Sequence, residues 1–390
     1  MGHRSRALED LAVNPSFWHG RHVFVTGHTG FKGSWLCLLL TELGARVTGY
    51  ALAPDTEPSL FERAGVAGDI DSIIGDMRDL PALRTALDAA RPEVVLHLAA
   101  QALVRRSYDD PVGTYAVNVM GTVNLLEAVR SCASVRAVVA VTSDKCYEND
   151  DAPRAFSEGD PLGGQDPYSS SKACAELVCA AYRQSFLSLL PAARSIGLAS
   201  ARAGNVIGGG DWAVDRLVPD RLAAIEGGRP LILRNPQATR PWQHVLEPLA
   251  GYLLLAERLH CEPARWAGAW NFGPAKQDVR NVQEVVDTLA QLMGRPTQRS
   301  NPAHAEPHEA RCLALDSSKA REQLGWAPRW DLQRALSAIV EWHGASADNA
   351  AARAITLRQI TRYLAEPVSS PAPRVFAAHA AEPANESILS

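Results

Sequence analysis

The chain has 390 residues, which is enough for one large domain with a smaller lobe or for two domains. A hydrophobic content of 46 % with 21 % charged residues predicts an ordinary globular protein, and a net charge of -4 gives no electrostatic case for nucleic acid or a membrane surface as the main partner. No apolar run reaches the roughly 18 residues that span a bilayer, and the N-terminus lacks the apolar core of a signal peptide. The seven cysteines form no CxxC pair and no zinc-like spacing, so we expect reduced thiols, a cytoplasmic location and no metal site.

Short apolar runs alternate with helix-period segments from Arg21 onward. Strands are predicted at 22–26, 46–52, 70–74, 94–98, 137–142 and 198–203, and helices at 33–43, 80–90, 115–130 and 169–186. Strands that alternate with helices form a parallel sheet covered on both faces. The sequence therefore predicts an α/β fold of the Rossmann type, a doubly wound parallel sheet with a smaller C-terminal lobe.

A glycine-rich turn joins the first predicted strand to the first predicted helix. It reads Gly27-His28-Thr29-Gly30-Phe31-Lys32-Gly33. Glycines let the backbone turn tightly and approach a pyrophosphate, and the N-terminus of the following helix then faces the anion. The turn predicts a dinucleotide site, with all seven residues as contacts.

The ends of the next three strands bear on which dinucleotide binds. The second strand ends at Leu52 with neither an acid for the ribose hydroxyls of NAD nor an arginine for the phosphate of NADP, so these residues leave both cofactors open. Asp76, followed by Met77, comes after the third strand and suits an adenine amino group. The fourth strand ends in His97-Leu98-Ala99-Ala100-Gln101, where the residues Leu98 to Ala100 can pack against a flat cofactor. His97 itself is predicted to be a core histidine.

Tyr168 and Lys172 form a Tyr-x-x-x-Lys pair on a predicted helix, where residues four apart lie one above the other. A tyrosine must lose its proton before it can accept one from a sugar hydroxyl. Its pKa of about 10 must therefore fall, and a neighbouring ammonium and a positive nicotinamide both lower it. Ser143, at the end of the fifth strand, can hydrogen-bond the same hydroxyl. These residues predict alcohol oxidation by hydride transfer, with Tyr168 and Lys172 also in contact with the cofactor.

Asp144 and Lys145 follow Ser143 directly, and simple alcohol oxidation needs neither of them. Elimination of water needs an acid that protonates a leaving hydroxyl and a base that removes a carbon-bound proton. Asp144 is the predicted acid, which requires burial to raise its pKa above about 3.9. Lys145 is the candidate base and would have to be neutral. The pair predicts that oxidation is followed by loss of water.

The alternation of strands and helices ends after Ala203. We expect a lead-in at 1–19, an NAD-binding Rossmann domain at 20–203, a substrate-binding lobe interleaved with the last strands at 204–345, and a C-terminal helix with a disordered tail at 346–390. In the lobe, the sequence predicts loops at 204–211 and 240–245, helices at 219–226 and about 247–259, and a short strand at 231–233. The tail prediction rests on the Ala-, Pro- and Ser-rich composition from about Pro367.

Four segments together resemble the nucleotide-sugar 4,6-dehydratases of the extended short-chain dehydrogenase/reductase family. They are GHTGFKGSW at 27–35, TSDKCYEN at 142–149, GNVIGGGDW at 204–212 and RPWQHV at 240–245. The resemblance extends from about Phe17 to Trp342. Relatives that act on dTDP-glucose carry Thr-Asp-Glu where this chain has Ser143-Asp144-Lys145. That difference favours the branch that acts on CDP-glucose and leaves the identity of the proton-abstracting base open.

The resemblance implies a hydro-lyase that uses NAD as an internal redox cofactor. Tyr168 would take the proton of the C4 hydroxyl while hydride leaves C4, Asp144 would protonate the departing C6 hydroxyl while a base removes the C5 proton, and hydride would return to C6. The family also implies a homodimer built from the helices near 115–130 and 169–186. The candidates for binding the nucleotide sugar are Gln101, Arg105, Asn205, Arg216, Arg234 and Arg240. The arginines among them offer a bidentate fork to a diphosphate.

Two other functions would use part of the same site. An NAD-dependent nucleotide-sugar 4-epimerase or 4-reductase would use Ser143, Tyr168 and Lys172 and has no need of Asp144 and Lys145. A dinucleotide-sensing or interaction protein on the same fold is expected to lack the tyrosine or the lysine, and this chain has both.

Overall fold

The computed structural model describes residues 13–296, 298–300 and 310–367. Most of the predicted N-terminal lead-in and nearly all of the predicted disordered tail lie outside the described residues. Within those ranges, no helix has the length and apolar character needed to cross a membrane. The same ranges contain no group of three or more His, Cys, Asp or Glu side chains that could hold a metal ion.

Seven parallel strands form the central sheet. Numbered in chain order, they are β1 (His22–Thr26), β2 (Arg46–Ala51), β3 (Asp71–Ile74), β4 (Val94–His97), β5 (Ala137–Val141), β6 (Gly197–Ala203) and β11 (Gly268–Phe272). They lie in the order β11-β6-β5-β4-β1-β2-β3, and every neighbouring pair is parallel. The predicted doubly wound α/β fold is confirmed. The strand β11, which the sequence did not mark, joins the sheet from the C-terminal part of the chain.

The strands of this sheet alternate between two buried faces. In β1, Val23 and Val25 pack into one core and Phe24 into the other. Helix Phe31–Glu42 contributes to the first core and helix Leu80–Ala90 to the second. Because both faces are buried, the strands appear in the sequence as continuous apolar runs instead of alternating ones.

The strand order reverses between β1 and β4. Strands β2 and β3 continue to one side of β1, whereas β4, β5, β6 and β11 continue to the other. Thr26, the last residue of β1, is paired with Tyr50 of β2 and with His97 of β4, so the carboxyl ends of these strands meet at one edge of the sheet. In open parallel sheets, ligands bind outside the carboxyl ends at the reversal point. The fold therefore places the expected crevice at the ends of β1 and β4.

Helices connect the strands and cover both faces. In the first half of the chain they are Pro15–Trp18, Phe31–Glu42, Leu60–Arg63, Leu80–Ala90, Val104–Asp109, Pro111–Tyr115, Gly121–Ser131 and Pro167–Ser185. In the second half they are Leu217–Glu226, Leu246–Cys261, Pro263–Trp266, Val282–Leu292, Leu332–Ala345 and Asn349–Ala365. Short 3₁₀ turns lie at Val66–Gly68, Asp144–Cys146, Leu187–Leu189, Ala192–Arg194 and Lys276–Asp278, and π turns at Ala116–Met120 and Ala320–Leu324.

Six short strands pair two by two outside the main sheet. They are β7 (Val206–Ile207) with β10 (Gln243–His244), β8 (Leu231–Ile232) with β13 (Arg299–Ser300), and β9 (Thr239–Pro241) with β12 (Val279–Asn281). The predicted loop at 240–245 is therefore wrong, and the predicted loop at 204–211 contains β7. Strands of two or three residues are too short to produce a recognisable alternation. The division of the chain between residues 203 and 204 stays a prediction.

Candidate active site

A cavity of about 630 Å³ lies at the carboxyl ends of the central strands. Residues of the sheet and of the C-terminal part of the chain line this cavity. The predicted site residues that line it are Gly27, Thr29, Gly30, Phe31, Lys32, Gly33, Asp76, Met77, Leu98, Ala99, Ala100, Gln101, Arg105, Ser143, Asp144, Lys145, Tyr168, Lys172, Asn205, Arg216, Arg234 and Arg240. The fold thus brings together residues that are far apart in the sequence, with His28 as the exception.

The glycine turn after β1 leaves room for a ligand at the start of helix Phe31–Glu42. Gly27 has a φ of 75°, and a Cβ there would lie 2.7 Å from the backbone nitrogen of Ala99. A Cβ at Gly33 would lie 2.0 Å from the carbonyl oxygen of Gly27, whereas a Cβ at Gly30 meets nothing nearer than that oxygen at 3.5 Å. Gly30 is the N-cap of the helix and supplies no side chain to its first amides. The helix N-terminus is therefore open to an anion, and these residues fit a dinucleotide pyrophosphate.

His28 lies behind the turn and does not line the cavity. Its ring is buried, and Nε2 is 2.8 Å from the hydroxyl of Ser72. Burial lowers the pKa of His28 to about 4, so the imidazole is neutral. The ring packs against Gly49, where a Cβ would lie 2.3 Å from its Cγ. The structure therefore separates the His28 side chain from the other predicted cofactor contacts and gives it a supporting place under the turn.

Asp76 and Gln101 reach the cavity, but their polar atoms are engaged by neighbours. Nε of Arg78 donates to both carboxylate oxygens of Asp76, at 3.0 and 2.9 Å, and this pairing holds the pKa of Asp76 below its usual value. The Gln101 amide donates to the carbonyl of Leu103 at 3.0 Å and to the hydroxyl of Thr114 at 2.9 Å. Both side chains thus stabilise their own loops, and their contacts with ligands stay predictions.

Tyr168, Lys172 and Ser143 meet at the end of β5. Burial raises the pKa of Tyr168 to about 12, and a hydrogen bond with Ser143 opposes that rise. Lys172 is buried one turn further along the helix, where Nζ donates to the carbonyl of Val141 at 3.4 Å. Burial lowers the pKa of Lys172 to about 8. The protein's own groups leave the phenol protonated at neutral pH, so a positive charge from a ligand is needed to make it a base.

Asp144 begins the 3₁₀ turn that follows β5. It is 3 % exposed, and its Oδ1 accepts a hydrogen bond from the hydroxyl of Ser143 at 3.1 Å. Its Oδ2 has no hydrogen-bond partner among the described residues, and a Cβ at Gly204 would lie 3.0 Å from it. Burial raises the pKa of Asp144, although the charge of Lys145 and the hydrogen bond from Ser143 act against the rise. A buried carboxyl with a raised pKa and an unused oxygen has the properties of a general acid.

Lys32 lies in the cavity at the start of helix Phe31–Glu42. Burial lowers its pKa to about 7, and the charges of Arg216 and Lys172 act in the same direction, whereas Asp144 opposes them. Lys32 is therefore within electrostatic range of the other ionisable groups of the site. A bound anion would favour its charged form, as the predicted contact with a phosphate requires.

Three of the predicted substrate-binding arginines are held by acids that the sequence analysis did not identify. Asp215 pairs with Arg105 at 3.3 Å and with Arg234 at 3.0 Å, and Asp211 pairs with Arg216 at 3.0 Å. These ion pairs keep the guanidinium groups at the wall of the cavity, where they can bind a diphosphate. Spacing in the sequence gives no signal for them, because Arg105 and Asp215 are 110 residues apart.

Arg240 and Asn205 line the cavity close to Asp144. Arg240 is buried in β9, where Nη1 donates to the carbonyl of Thr239 at 2.9 Å, and its charge acts to lower the pKa of Asp144. Asn205 directly follows Gly204, the residue that makes room for the free oxygen of that carboxyl. Arg240 is therefore within electrostatic range of the proposed acid, whereas a contact of Asn205 with the substrate stays a prediction.

Two buried polar residues that support the site were also missed. Asn118 lies in the π turn that interrupts the predicted helix at 115–130, and its Nδ2 donates to the hydroxyl of Ser171 at 2.9 Å. Glu176 lies one turn beyond Lys172 and accepts hydrogen bonds from Thr142 and Arg202. The four-residue spacing from Lys172 is a signal that could have identified Glu176. A π turn leaves no such signal in the sequence.

Comparisons with known proteins agree with this geometry. A family model described as GDP-mannose 4,6 dehydratase matches residues 24–339. A CDP-glucose 4,6-dehydratase of Salmonella typhimurium is 53 % identical over 336 residues, which cover 85 % of this chain and 93 % of that protein. A UDP-glucose 4-epimerase of Mycolicibacterium smegmatis is 28 % identical over 325 residues, which cover 82 % of this chain and 97 % of that protein.

A solved structure with the same fold contains a nicotinamide dinucleotide. It is the dTDP-glucose 4,6-dehydratase DesIV of Streptomyces venezuelae with NAD bound, and it has a TM-score of 0.70 at 23 % identity. The match covers 83 % of this chain and 97 % of that one. At this level of identity the likeness shows the shared fold.

Proposed function

Because the chain belongs to the family described as GDP-mannose 4,6-dehydratase, within the extended short-chain dehydrogenases/reductases, we propose that it is an NAD-dependent hydro-lyase that converts CDP-glucose to CDP-4-keto-6-deoxyglucose. The reaction oxidises C4, eliminates water across C5 and C6, and then returns the hydride to C6 and a proton to C5, with no net redox change. The relative at 53 % identity supports CDP-glucose as the substrate. The epimerase relative is far more distant, at 28 %.

One observation carries this proposal: an acid lies beside the groups needed for alcohol oxidation. Asp144 is buried, keeps one oxygen without a partner among the described residues, and is hydrogen-bonded to Ser143, which also bonds Tyr168. A 4-epimerase needs the serine, tyrosine and lysine and has no step for this carboxyl. The extra acid in the same cavity therefore supports elimination of water.

Tyr168 is the proposed acceptor of the proton from the C4 hydroxyl. The hydrogen bond with Ser143 orients the phenol, and the buried ammonium of Lys172 stands one turn away on the same helix face. When bound, NAD supplies the acceptor for the C4 hydride and the source of the hydride that returns to C6. Because burial alone keeps the phenol protonated, the positive charge of bound NAD would be needed to lower the pKa of Tyr168 so that it can take a proton near neutral pH.

Asp144 and Lys145 are the proposed acid and base of the elimination. Asp144 donates its proton to the C6 oxygen as the hydroxyl leaves, which a raised pKa permits. Lys145, the next residue of the same 3₁₀ turn, lines the cavity and is the proposed acceptor of the C5 proton. An acid and a base on adjacent residues suit removal of groups from adjacent carbons.

The test is incubation of the purified protein with CDP-glucose that carries deuterium at C4. The proposal expects a 6-deoxy-4-keto product with that deuterium at C6, read by NMR. A galactose epimer, or deuterium released into free reduced cofactor, would refute the dehydratase proposal. A parallel incubation with dTDP-glucose and GDP-mannose tests the choice of nucleotide.

We also propose that two copies of the chain associate through segment 111–131 and helix Pro167–Ser185, which pack against each other at the surface. Large apolar side chains are exposed on both of them: Val112, Met120 and Leu177, the last with 58 % exposure. A charged Leu177→Glu variant should lower the mass measured by light scattering. Ile74→Glu, at an equally exposed residue that ends the edge strand β3 and lies outside both segments, should not. A monomeric wild-type protein would refute this proposal.

The proposed location is the cytoplasm. All seven cysteines are free, which suits a reducing compartment.

A further inference from the structure

The catalytic turn, residues 142–147, is contacted at both ends by one buried ion pair. The turn carries Ser143, Asp144 and Lys145. The ion pair is formed by Glu176 and Arg202, which are 4 % and 3 % exposed, with Nη2 of Arg202 donating to Oε2 of Glu176 at 2.7 Å.

Glu176 holds the first end of the catalytic turn. The hydroxyl of Thr142 donates to Oε1 of Glu176 at 2.5 Å. Oε2 accepts from the hydroxyl of Ser200 at 2.7 Å in addition to its bond from Arg202. Because Glu176 lies one turn beyond Lys172, the helix that carries Tyr168 and Lys172 also fixes the end of β5.

Arg202 holds the second end. Its Nη1 donates to the hydroxyl of Tyr147 at 2.8 Å, and its guanidinium lies over the Tyr147 ring at 4.9 Å from the centroid. The same hydroxyl donates to Oδ1 of Asn271 at 2.7 Å. Asn271 is the β11 residue paired with Arg202 of β6, so the far end of the turn is attached to two strands of the sheet.

Asp144 depends on the turn for its position. Its Oδ1 accepts a hydrogen bond from the hydroxyl of its neighbour Ser143, and its Oδ2 has no partner among the described residues. The side chain is therefore placed mainly by the backbone of the turn. A displacement of about 1 Å at a reacting group can cost roughly a hundredfold in rate.

We infer that the Glu176–Arg202 pair is a positioning device that fixes both ends of the catalytic turn and thereby keeps Asp144 where it can protonate the leaving hydroxyl. This inference rests on the proposed dehydratase function. It gives Glu176, Arg202, Thr142 and Tyr147 a role that acts through Asp144. None of the four needs to touch the reacting atoms.

Removal of single hydroxyls tests the inference without leaving a buried charge unpaired. Thr142→Val and Tyr147→Phe should each lower kcat by roughly a hundredfold with little change in KM for CDP-glucose. Reduced cofactor should accumulate on the enzyme, because elimination slows more than oxidation. Thr142→Ser, which keeps the hydroxyl, should retain most of the wild-type kcat.

Tyr182→Phe is the matched control. Its hydroxyl donates to Glu127 at 2.7 Å from the same helix, and among the described residues this hydrogen bond joins the helix to Gly121–Ser131 and not to the catalytic turn. It should keep the wild-type kcat even if it lowers the melting temperature. A loss of activity in Thr142→Val that Thr142→Ser shares, or that follows only the folded fraction measured by circular dichroism, would overturn the positioning role.

Hydrogen exchange provides a readout that does not depend on the reaction. Amides of peptides that cover residues 142–147 should exchange faster in Thr142→Val and Tyr147→Phe than in wild-type protein and in Tyr182→Phe. Unchanged exchange would overturn the inference. If wild-type protein makes no 4-keto-6-deoxy sugar, the proposed function fails, and the exchange measurement still tests whether the ion pair holds the turn.

Discussion

Alanine at two positions of the glycine turn should separate the packing of the turn from its contact with the cofactor. Gly33→Ala would place a Cβ 2.0 Å from the carbonyl oxygen of Gly27 and 2.7 Å from the Cα of His28. Alanine gains about 1 kcal/mol over glycine in a helix, whereas overpacking costs about 1–3 kcal/mol. Because the atoms it meets belong to the backbone, the upper end of that cost applies. We expect the free energy of unfolding to fall by about 2 kcal/mol.

Gly30→Ala should leave the free energy of unfolding almost unchanged and weaken the binding of NAD. Its Cβ would meet only the carbonyl oxygen of Gly27 at 3.5 Å, and the φ of -78° with a ψ of 170° is allowed for alanine. The free energy of unfolding should therefore stay within about 0.5 kcal/mol of wild type. The new methyl group would, however, stand where a phosphate approaches the first amides of the helix. We expect the dissociation constant for NAD to rise at least about tenfold, which corresponds to about 1.4 kcal/mol.

The two measurements are urea unfolding of the protein without cofactor and calorimetric titration with NAD. Wild-type affinity for NAD in Gly30→Ala would show that the dinucleotide does not approach the helix N-terminus, and the reasoning about the turn would be refuted. An unchanged unfolding midpoint in Gly33→Ala would show that the backbone relaxes without cost, against the steric argument. If NAD affinity fell in Gly33→Ala and not in Gly30→Ala, the packing of the turn and its contact with the cofactor would not be separated. That result would also count against the argument.

Two further predictions concern the proposed proton transfers. Asp144→Asn should lower turnover by roughly 10²–10⁴-fold and leave reduced cofactor on the enzyme, measured by its absorbance, since oxidation needs no acid from this residue. An acid must carry its proton, so kcat of the wild type should fall as the pH rises through the raised pKa of Asp144, and this limb should be missing in Asp144→Asn. Full activity in that variant would remove Asp144 from the mechanism. Tyr168→Phe should form no reduced cofactor at all, and its formation at the wild-type rate would show that another group accepts the C4 proton.

The sheet could be predicted because each strand is buried on both faces and bounded by a turn. Strand β1 lies at the residues expected, and the glycine turn after it has the open helix start that the motif implies. His97 is confirmed as a core histidine: its Nδ1 is 2.7 Å from the hydroxyl of Thr26, and burial lowers its pKa to about 3. These features depend on local pattern, which a sequence displays directly.

The parts that the sequence did not reveal depend on contacts between distant residues. Strand β9 has three residues and exists because it pairs with β12, about 40 positions later, so no local pattern marks it. Asp215 holds Arg105 and Arg234 from a position that no motif contains. The cavity residues were identified in spite of this, because their motifs lie at the ends of strands. The acids that orient the arginines were not.

Burial disfavours the charged form of every ionisable group of the site, yet some of these groups move toward neutrality and others stay charged. For Lys172 and Asp144, burial outweighs the opposing charges around them and favours the neutral form: the pKa of Lys172 falls to about 8 and that of Asp144 rises. Burial alone would likewise raise the pKa of Glu176, but the hydrogen bond and charge of Arg202 hold it below its usual value, so the pair stays ionised. A group near its neutral form can exchange protons, whereas a fixed ion pair can only hold its neighbours in place. Tyr168, Lys172 and Glu176 lie four residues apart on one helix face, so their spacing does not separate the proton-exchanging groups from the structural one. The structure separates them, because it pairs Glu176 with Arg202.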